Sequence, residues 1–225
     1  ALVLASPFEP ALQAACDVVA GGIESHLRLP PILQSWGLVL ARLGNSQVDA
    51  PRTLEPQRVQ ILLPSATQFL VGGQRGDDVF SRPWMTYPFM HADGGMSDMA
   101  WFMLHCLPQP KPGADVLDLC CGTGVLGAAL QAWQPRVHLH VADADAFALL
   151  CARENLPGAV HHVSDGLTGL SQGSCAHVLK FDMIVCNPPI HNPWGEVDLS
   201  VLLGILSDAG QHVRAQGSLW IVVPS

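Results

Sequence analysis

The chain has 225 residues, 49% of them apolar and 13% charged, with a formal net charge of −8. That composition builds a substantial core and excludes a disordered chain. The acidic balance argues against a general nucleic-acid binder, because phosphate neutralisation needs Lys and Arg. The excess is spread evenly: residues 1–110 carry 9 acidic and 6 basic groups, and residues 111–225 carry 10 and 5. A single structured RNA region met by a local patch stays compatible with these numbers.

The length suits one large domain, or a domain of about 120–150 residues with a smaller attachment. No apolar stretch approaches the roughly 20 residues of a spanning helix. The opening ALVLASPFEPALQAA has no basic segment, so it does not read as a signal peptide, and a first residue other than Met suggests a trimmed chain. Seven cysteines are scattered without a C-x-x-C pair, which indicates neither a metal knuckle nor a thioredoxin-like site. A reduced, cytoplasmic protein without a metal is the expectation.

In chain order, Pro10–Ala20 and Ile32–Leu43 read as helical and Val59–Leu63 as a strand. Ser97 or Asp98 suits the cap of a helix running through Trp101, Leu104 and Leu107. Residues 1–85 are expected to form an accessory region and 86–225 the main domain. Past the Pro-rich connector LPQPKPGA at 107–114, strands and helices alternate. Strands are expected at Val116–Cys120, Val137–Ala142, Ala159–Val163, Phe181–Cys186 and Ser218–Val223. Helices are expected up to Trp133, from Asp145 to Asn155, and from Asp198 to Val213. This alternation predicts an α/β, Rossmann-like, doubly wound and mostly parallel sheet with helices on both faces.

The stretch DVLDLCCGTGVLG, residues 115–127, is the most informative. A strand ends, Gly122 and Gly124 make a tight turn, and a helix begins. Glycine there permits positive φ and close approach of a ligand. Asp118 lies four residues before Gly122, and Asp143 ends the next strand, where a carboxylate suits ribose hydroxyls. Gly122, Gly124 and Gly127 complete G-x-G-x-x-G, so a nicotinamide dinucleotide is a competitor. The acid inside the turn favours instead a ligand with a positive charge or an amino group. Asp165, after the third strand, suits either an adenine amino group or a plain loop or cap role. The fourth strand runs straight into Asn187-Pro188-Pro189.

Together, D-x-x-x-G-x-G after the first strand, an acid after the second and N-P-P after the fourth resemble the class I S-adenosylmethionine-dependent methyltransferases. Within these, NPPIH and a short spacer to GSLWIVV look most like the small-domain ribosomal RNA guanine-N2 methyltransferases. The resemblance covers roughly residues 85–225. It implies S-adenosylmethionine as cofactor and a guanine amino group of structured ribosomal RNA as acceptor. Asp118, Cys120, Gly122 and Gly124 would line the methionine end, Asp143 and Ala144 the ribose, and Asp165 and Gly166 the adenine. Asn187 would border the cofactor and, with the Pro188 carbonyl, accept hydrogen bonds from the target amine, held by the fixed φ of Pro188 and Pro189.

Two departures follow. The family places an aromatic at position 190, where this chain has Ile190. Either His191 or Trp194 supplies a stacking platform, or the site is weakened. The class also has seven strands, so the last two are expected to be missing, which implies about 30 or more further residues after the fifth strand, or an N-terminal region covering that edge. Alternatives to RNA methylation are a protein glutamine N-methyltransferase, which the acidic balance favours, and a non-catalytic binding module.

Overall fold

The computed structural model describes residues 2–5, 23–28, 38–43, 56–64, 79–87, 90, 92, 95–172, 177–191 and 196–223. The organising element is the strand β6 (Asp115–Leu119), in which Val116, Leu117, Asp118 and Leu119 are all fully buried. Such an uninterrupted run belongs to a strand covered on both faces. On one side β6 pairs in parallel with β7 (His138–Asp143), which pairs with β8 (Val160–Val163). On the other side it pairs with β11 (Phe181–Cys186), which pairs with β12 (Val213–Ile221). The five-stranded parallel sheet thus has the order β12-β11-β6-β7-β8. The chain winds outward one way from β6 and then returns to wind the other way, so a crevice opens between β6 and β11 at their C-terminal ends.

Helices cover both faces. α1 (Asp98–Cys106), capped by the Ser97 hydroxyl, α2 (Val125–Trp133) and α3 (Ala146–Asn155) supply residues to one apolar cluster, including Leu104, Leu130 and Leu149. α4 (Ser200–His212) contributes Ile205 and Ala209 to the other, against Leu117, Ile184 and Phe181. Every residue of α2 but Gln131 and Ala132 is buried, and the helix carries no charge. Its stability therefore comes from packing and not from a solvated polar face.

β9 (Ser171–Gln172) and β10 (His177–Val178) form a minimal hairpin before β11. At the N-terminal ends of the sheet strands, Arg214 bridges Asp115 and Asp182, tying β12, β6 and β11 together.

Before the sheet, β1 (Leu2–Ala5), β2 (Ile23–Arg28) and β3 (Leu38–Leu43) form a small antiparallel sheet in the order β1-β3-β2. Residues 38–43 are therefore a strand, which corrects the helix expected there. The sequence LVLARL suits either state, and pairing on both sides decides for strand, since tertiary context overrides local preference. The helix expected at Pro10–Ala20 lies outside the described residues.

β4 (Gln57–Pro64) contains the expected strand, but its partner β5 (Val79–Thr86) was not expected. Pro83 lies inside β5, and a proline argues against a strand unless the strand is an edge. A two-stranded hairpin offers only edges. Ile61, Leu63 and Trp84 of this hairpin are buried in the same cluster as α2 and α3. The helix and strand at the C-terminal side exchange residues: α4 ends at His212 and β12 begins at Val213, several residues ahead of the expected Ser218.

Among the described residues, no helix is long and apolar enough to cross a membrane.

Candidate functional site

The sheet register assembles the site. Leu119 pairs with Ala142 on one side and with Cys186 on the other. The next residues along each strand, Cys120, Asp143 and Asn187, consequently emerge at the same edge of the sheet. The two most informative stretches of sequence, 67 residues apart, are neighbours for this reason.

The turn after β6 is wound tightly. Cys120, Gly122 and Gly124 have φ of 55°, 55° and 92°. Glycine tolerates that region freely, whereas Cys120 does so at a steric cost of roughly 1–2 kcal/mol. Main-chain bonds from the Cys121 amide to the Ala142 carbonyl (3.0 Å) and from the Gly124 amide to the Cys121 carbonyl (2.8 Å) fix the turn. The glycines have different reasons to be glycine. A Cβ on Gly122 would point into open space, with nothing within 4 Å, whereas one on Gly124 would lie 2.7 Å from Leu156 Cδ1. A Cβ on Gly127 would lie 3.1 Å from Asp118 Oδ2. The first glycine therefore leaves a cradle open, Gly124 lets the turn pack against Leu156 at the end of α3, and Gly127 lets α2 sit close to the sheet.

Three carboxyl groups gather around this turn. Asp118 is fully buried; its Oδ2 accepts the Gly127 amide at 2.7 Å, while Oδ1 has no partner. Burial pushes its pKa up to about 8, opposed by the Gly127 amide and reinforced by Asp143. Asp143 accepts the Gly122 amide at 2.8 Å and the Asp145 amide at 2.8 Å, so it joins the turn after β6 to the start of α3. Its pKa is raised by burial in spite of those amides and that of Ala144. Asp145 caps α3 through the Phe147 amide, and burial carries it up to about 6, with Asp143 adding to the shift. Asp145 was not singled out as a site residue; its only sequence signal is a cap position two residues past Asp143. The cluster is unwelcoming to a pyrophosphate and suits a cationic ligand.

Cys120 is half-buried, and its thiol meets that of Cys186. That hydrogen bond, with burial, raises its pKa, and burial does the same for Cys121. All five described cysteines are free thiols. Ala144 is half-buried beside Asp143.

Asp165 follows β8 with its carboxylate exposed, and its carbonyl accepts from Thr168. Ser164 is the buried member of that loop; its hydroxyl donates to the Gly166 carbonyl at 2.7 Å and accepts the Gly169 amide at 2.9 Å. Gly166 has φ of 55°.

Across the crevice, Asn187 is half-buried and Pro188 buried, and no hydrogen bond to the Asn187 side chain is made among the described residues. Pro189 is exposed and Ile190 half-buried. The Ile190 carbonyl accepts the Asp198 amide at 2.9 Å, and exposed His191 bridges Val197, so the chain folds back on itself after N-P-P. Trp194 lies outside the described residues. Among the described residues, no group of three or more His, Cys, Asp or Glu could hold a metal ion.

A second concavity, of about 520 Å³, opens at the opposite ends of the strands between Asp115, His140, Lys180 and Arg214. Its principal charges already neutralise one another, Arg214 against Asp115 and Asp182.

The arrangement fits S-adenosylmethionine on three counts: the open cradle over Gly122, the unpartnered Oδ1 of Asp118, and the acidic surroundings for a ligand bearing ammonium and sulfonium charges. Comparison with known proteins agrees. Ribosomal RNA large subunit methyltransferase G of Pseudomonas paraeruginosa is 28% identical over 94% of this chain and 55% of its own length. Ribosomal RNA small subunit methyltransferase C of Klebsiella pneumoniae is 31% identical over 61% of this chain and 39% of its own. The protein of the same name from Acinetobacter baylyi is 35% identical over 53% and 35%. The chain thus spans at most about half the length of these relatives. Residues 85–225, which carry the glycine turn, the acids and N-P-P, match the methyltransferase small domain, and the chain belongs to that family.

Proposed function

We propose that this protein is an S-adenosylmethionine-dependent N-methyltransferase whose acceptor is the exocyclic N2 amino group of a guanine in ribosomal RNA, and that it works in the cytoplasm. The observation that carries the reading is the register that brings the acidic glycine turn and Asn187-Pro188-Pro189 to one crevice.

In this reading Asp118, Cys120, Gly122 and Gly124 hold the methionine end of the cofactor, Asp143 and Ala144 the ribose, and Asp165 and Gly166 the adenine. Asn187 offers its side-chain carbonyl to the target amine, and Pro188 its main-chain carbonyl. Both acceptors are stiffened by proline, so the nitrogen lone pair is held toward the donor and not toward water. The cofactor, when bound, supplies an activated methyl group on a sulfonium. The protein needs to supply little beyond orientation and a site for the departing amine proton. Ile190, His191 and Trp194 border the acceptor base. The names of the relatives support RNA as the substrate class, and residues 1–85 serve as its accessory region.

The acidic balance keeps a protein glutamine acceptor as the second reading. Radiolabelled S-adenosylmethionine, offered with ribosomal subunits and protein from cells lacking the enzyme, separates the two. Label in RNA that digests to N2-methylguanosine supports the proposal, and label in protein supports the alternative. Wild-type protein that binds NAD but not S-adenosylhomocysteine would sink both.

A further inference from the structure

Asn155, the last residue of α3, is 4% exposed and is not among the residues expected to meet a ligand. Its amide nitrogen donates to the Met85 carbonyl at 2.9 Å and to the Thr123 carbonyl at 3.1 Å, and its Oδ1 accepts the Met85 amide at 2.8 Å. Its main-chain carbonyl accepts the Arg82 guanidinium, which in turn lies over the Trp84 ring at 5.3 Å from the centroid. Trp84 is fully buried, and its indole N–H donates to the Thr123 hydroxyl at 2.9 Å. Two separate elements, α3 through Asn155 and β5 through Trp84, therefore converge on Thr123, the residue between Gly122 and Gly124.

A purely architectural reading would make these bonds the ordinary satisfaction of buried polar groups where α3 meets β5. It accounts for the Met85 pair and for Arg82 on the helix end. It does not account for two independent bonds, one to the carbonyl and one to the hydroxyl, ending on the middle of a turn that has left the sheet ladder. That turn has three of its five residues at positive φ, and an open cradle above one of them. A strained turn keeps one shape only if its surroundings over-determine it. Here the surroundings are Asn155 from the end of α3 and Trp84 from the hairpin.

We propose that Asn155 and Trp84 are positioning residues, which act through Thr123 to hold the Cys120–Gly124 turn in the shape that receives the methyl donor. The hairpin β4–β5 is then a supporting wall of the cofactor site. The proposal rests on the methyltransferase reading given above. A preformed turn saves the cofactor the ordering that it would otherwise have to impose on binding.

The test measures S-adenosylhomocysteine binding by calorimetry on the full chain, with thermal melting in parallel and kcat and KM for the cofactor where turnover is available. Trp84→Phe keeps the ring and removes the N–H; Thr123→Val removes the hydroxyl and Thr123→Ser keeps it. Losing one such hydrogen bond is expected to weaken cofactor binding about five- to tenfold. That loss should appear in Trp84→Phe and Thr123→Val, measured well below their melting temperatures, with Thr123→Ser close to wild type. The loss should appear in KM, with kcat at saturating cofactor within about twofold. Wild-type affinity in both Trp84→Phe and Thr123→Val, with or without a lowered melting temperature, overturns the proposal. If Trp84→Phe does not fold, the Thr123→Val and Thr123→Ser pair decides alone. A wild-type protein that binds no S-adenosylhomocysteine fails at the earlier step, overturning the methyl-donor reading together with this one.

Discussion

Asp118 Oδ2 accepts the Gly127 amide at 2.7 Å, so an acid next to the last residue of the central strand caps the third residue of the helix that follows it. The helix N-terminus favours a negative charge there, yet complete burial wins and raises the pKa to about 8. The folded protein therefore binds a proton that the unfolded chain, with an ordinary aspartate near 3.8, has lost. The sign follows from linkage. This contribution to stability is complete below about pH 4 and is lost as the pH rises toward 8.

Denaturant midpoints measured from pH 5 to 8.5 should show that fall in wild type and a shallower one in Asp118→Asn. Asp145, raised to about 6, adds the same sign over the lower part of the range. His140 and His162 oppose it. They share a 2.9 Å hydrogen bond, and burial lowers both pKa values, so their contribution is lost as the pH falls below about 6.5. The difference between wild type and Asp118→Asn isolates the one carboxyl. A flat difference across the range would contradict a raised pKa at Asp118.

A ligand with an ammonium or sulfonium charge near Oδ1 favours the ionised form. Cofactor binding should consequently release close to one proton at pH 7, and affinity should rise with pH up to about 8. Calorimetry in two buffers of different ionisation enthalpy measures the release directly. Equal heats in the two buffers would place the cofactor away from Asp118.

Asn187 is expected to matter for chemistry more than for cofactor binding. Asn187→Ala should lower kcat by about a hundredfold or more, the scale of losing a preorganised acceptor, with S-adenosylhomocysteine affinity within a few-fold of wild type. Rapid-quench single turnovers check this, since they exclude slow product release. A mutant limited only in substrate KM would assign Asn187 to binding.

Two of the three left-handed positions of the turn, Gly124 and Cys120, make opposite demands on side chains. Gly124→Ala combines positive φ with a contact to Leu156, so a loss of about 3 kcal/mol or more is expected. At Cys120 a β-branched residue is the sharper test. Cys120→Val should cost about 2 kcal/mol, whereas Cys120→Gly, which relieves φ, should stay within about 1 kcal/mol of wild type. Urea unfolding of the three variants provides the comparison.

Position 190 tests how the acceptor is held. Ile190 offers apolar contact but no aromatic face, and base stacking is worth roughly 1–3 kcal/mol. Ile190→Phe should tighten the RNA substrate, and Trp194→Ala should weaken it if the tryptophan stands in for the missing aromatic. Filter-binding with the substrate RNA reads both. Unchanged affinity in Trp194→Ala removes that compensation.

The centre of the sheet was legible because β6 and β11 are short, largely apolar runs closed by a polar or glycine punctuation, and because Asn187-Pro188-Pro189 follows β11 without a gap. Asp118, Gly122 and Gly124 were legible for the same local reason. What local signals could not give were pairings made at a distance. Trp84 and Thr123 are 39 residues apart, and Met85 and Asn155 are 70 apart. The strand that carries Trp84 is also disguised by Pro83. Residues 38–43 were misread because LVLARL has no decisive period, and its two strand partners lie elsewhere in the chain.

The burial of Trp84 bears on how far this domain is portable. The family match begins at residue 85, one position past an indole that is fully enclosed. Cutting the gene there would strip Ile61, Leu63 and Trp84 from the face of α2 and bare an apolar wall. A fragment made to the family's limits should aggregate or fold poorly, and one begun ahead of Gln57 should not. The natural unit of exchange between proteins of this kind is then the sheet together with its hairpin.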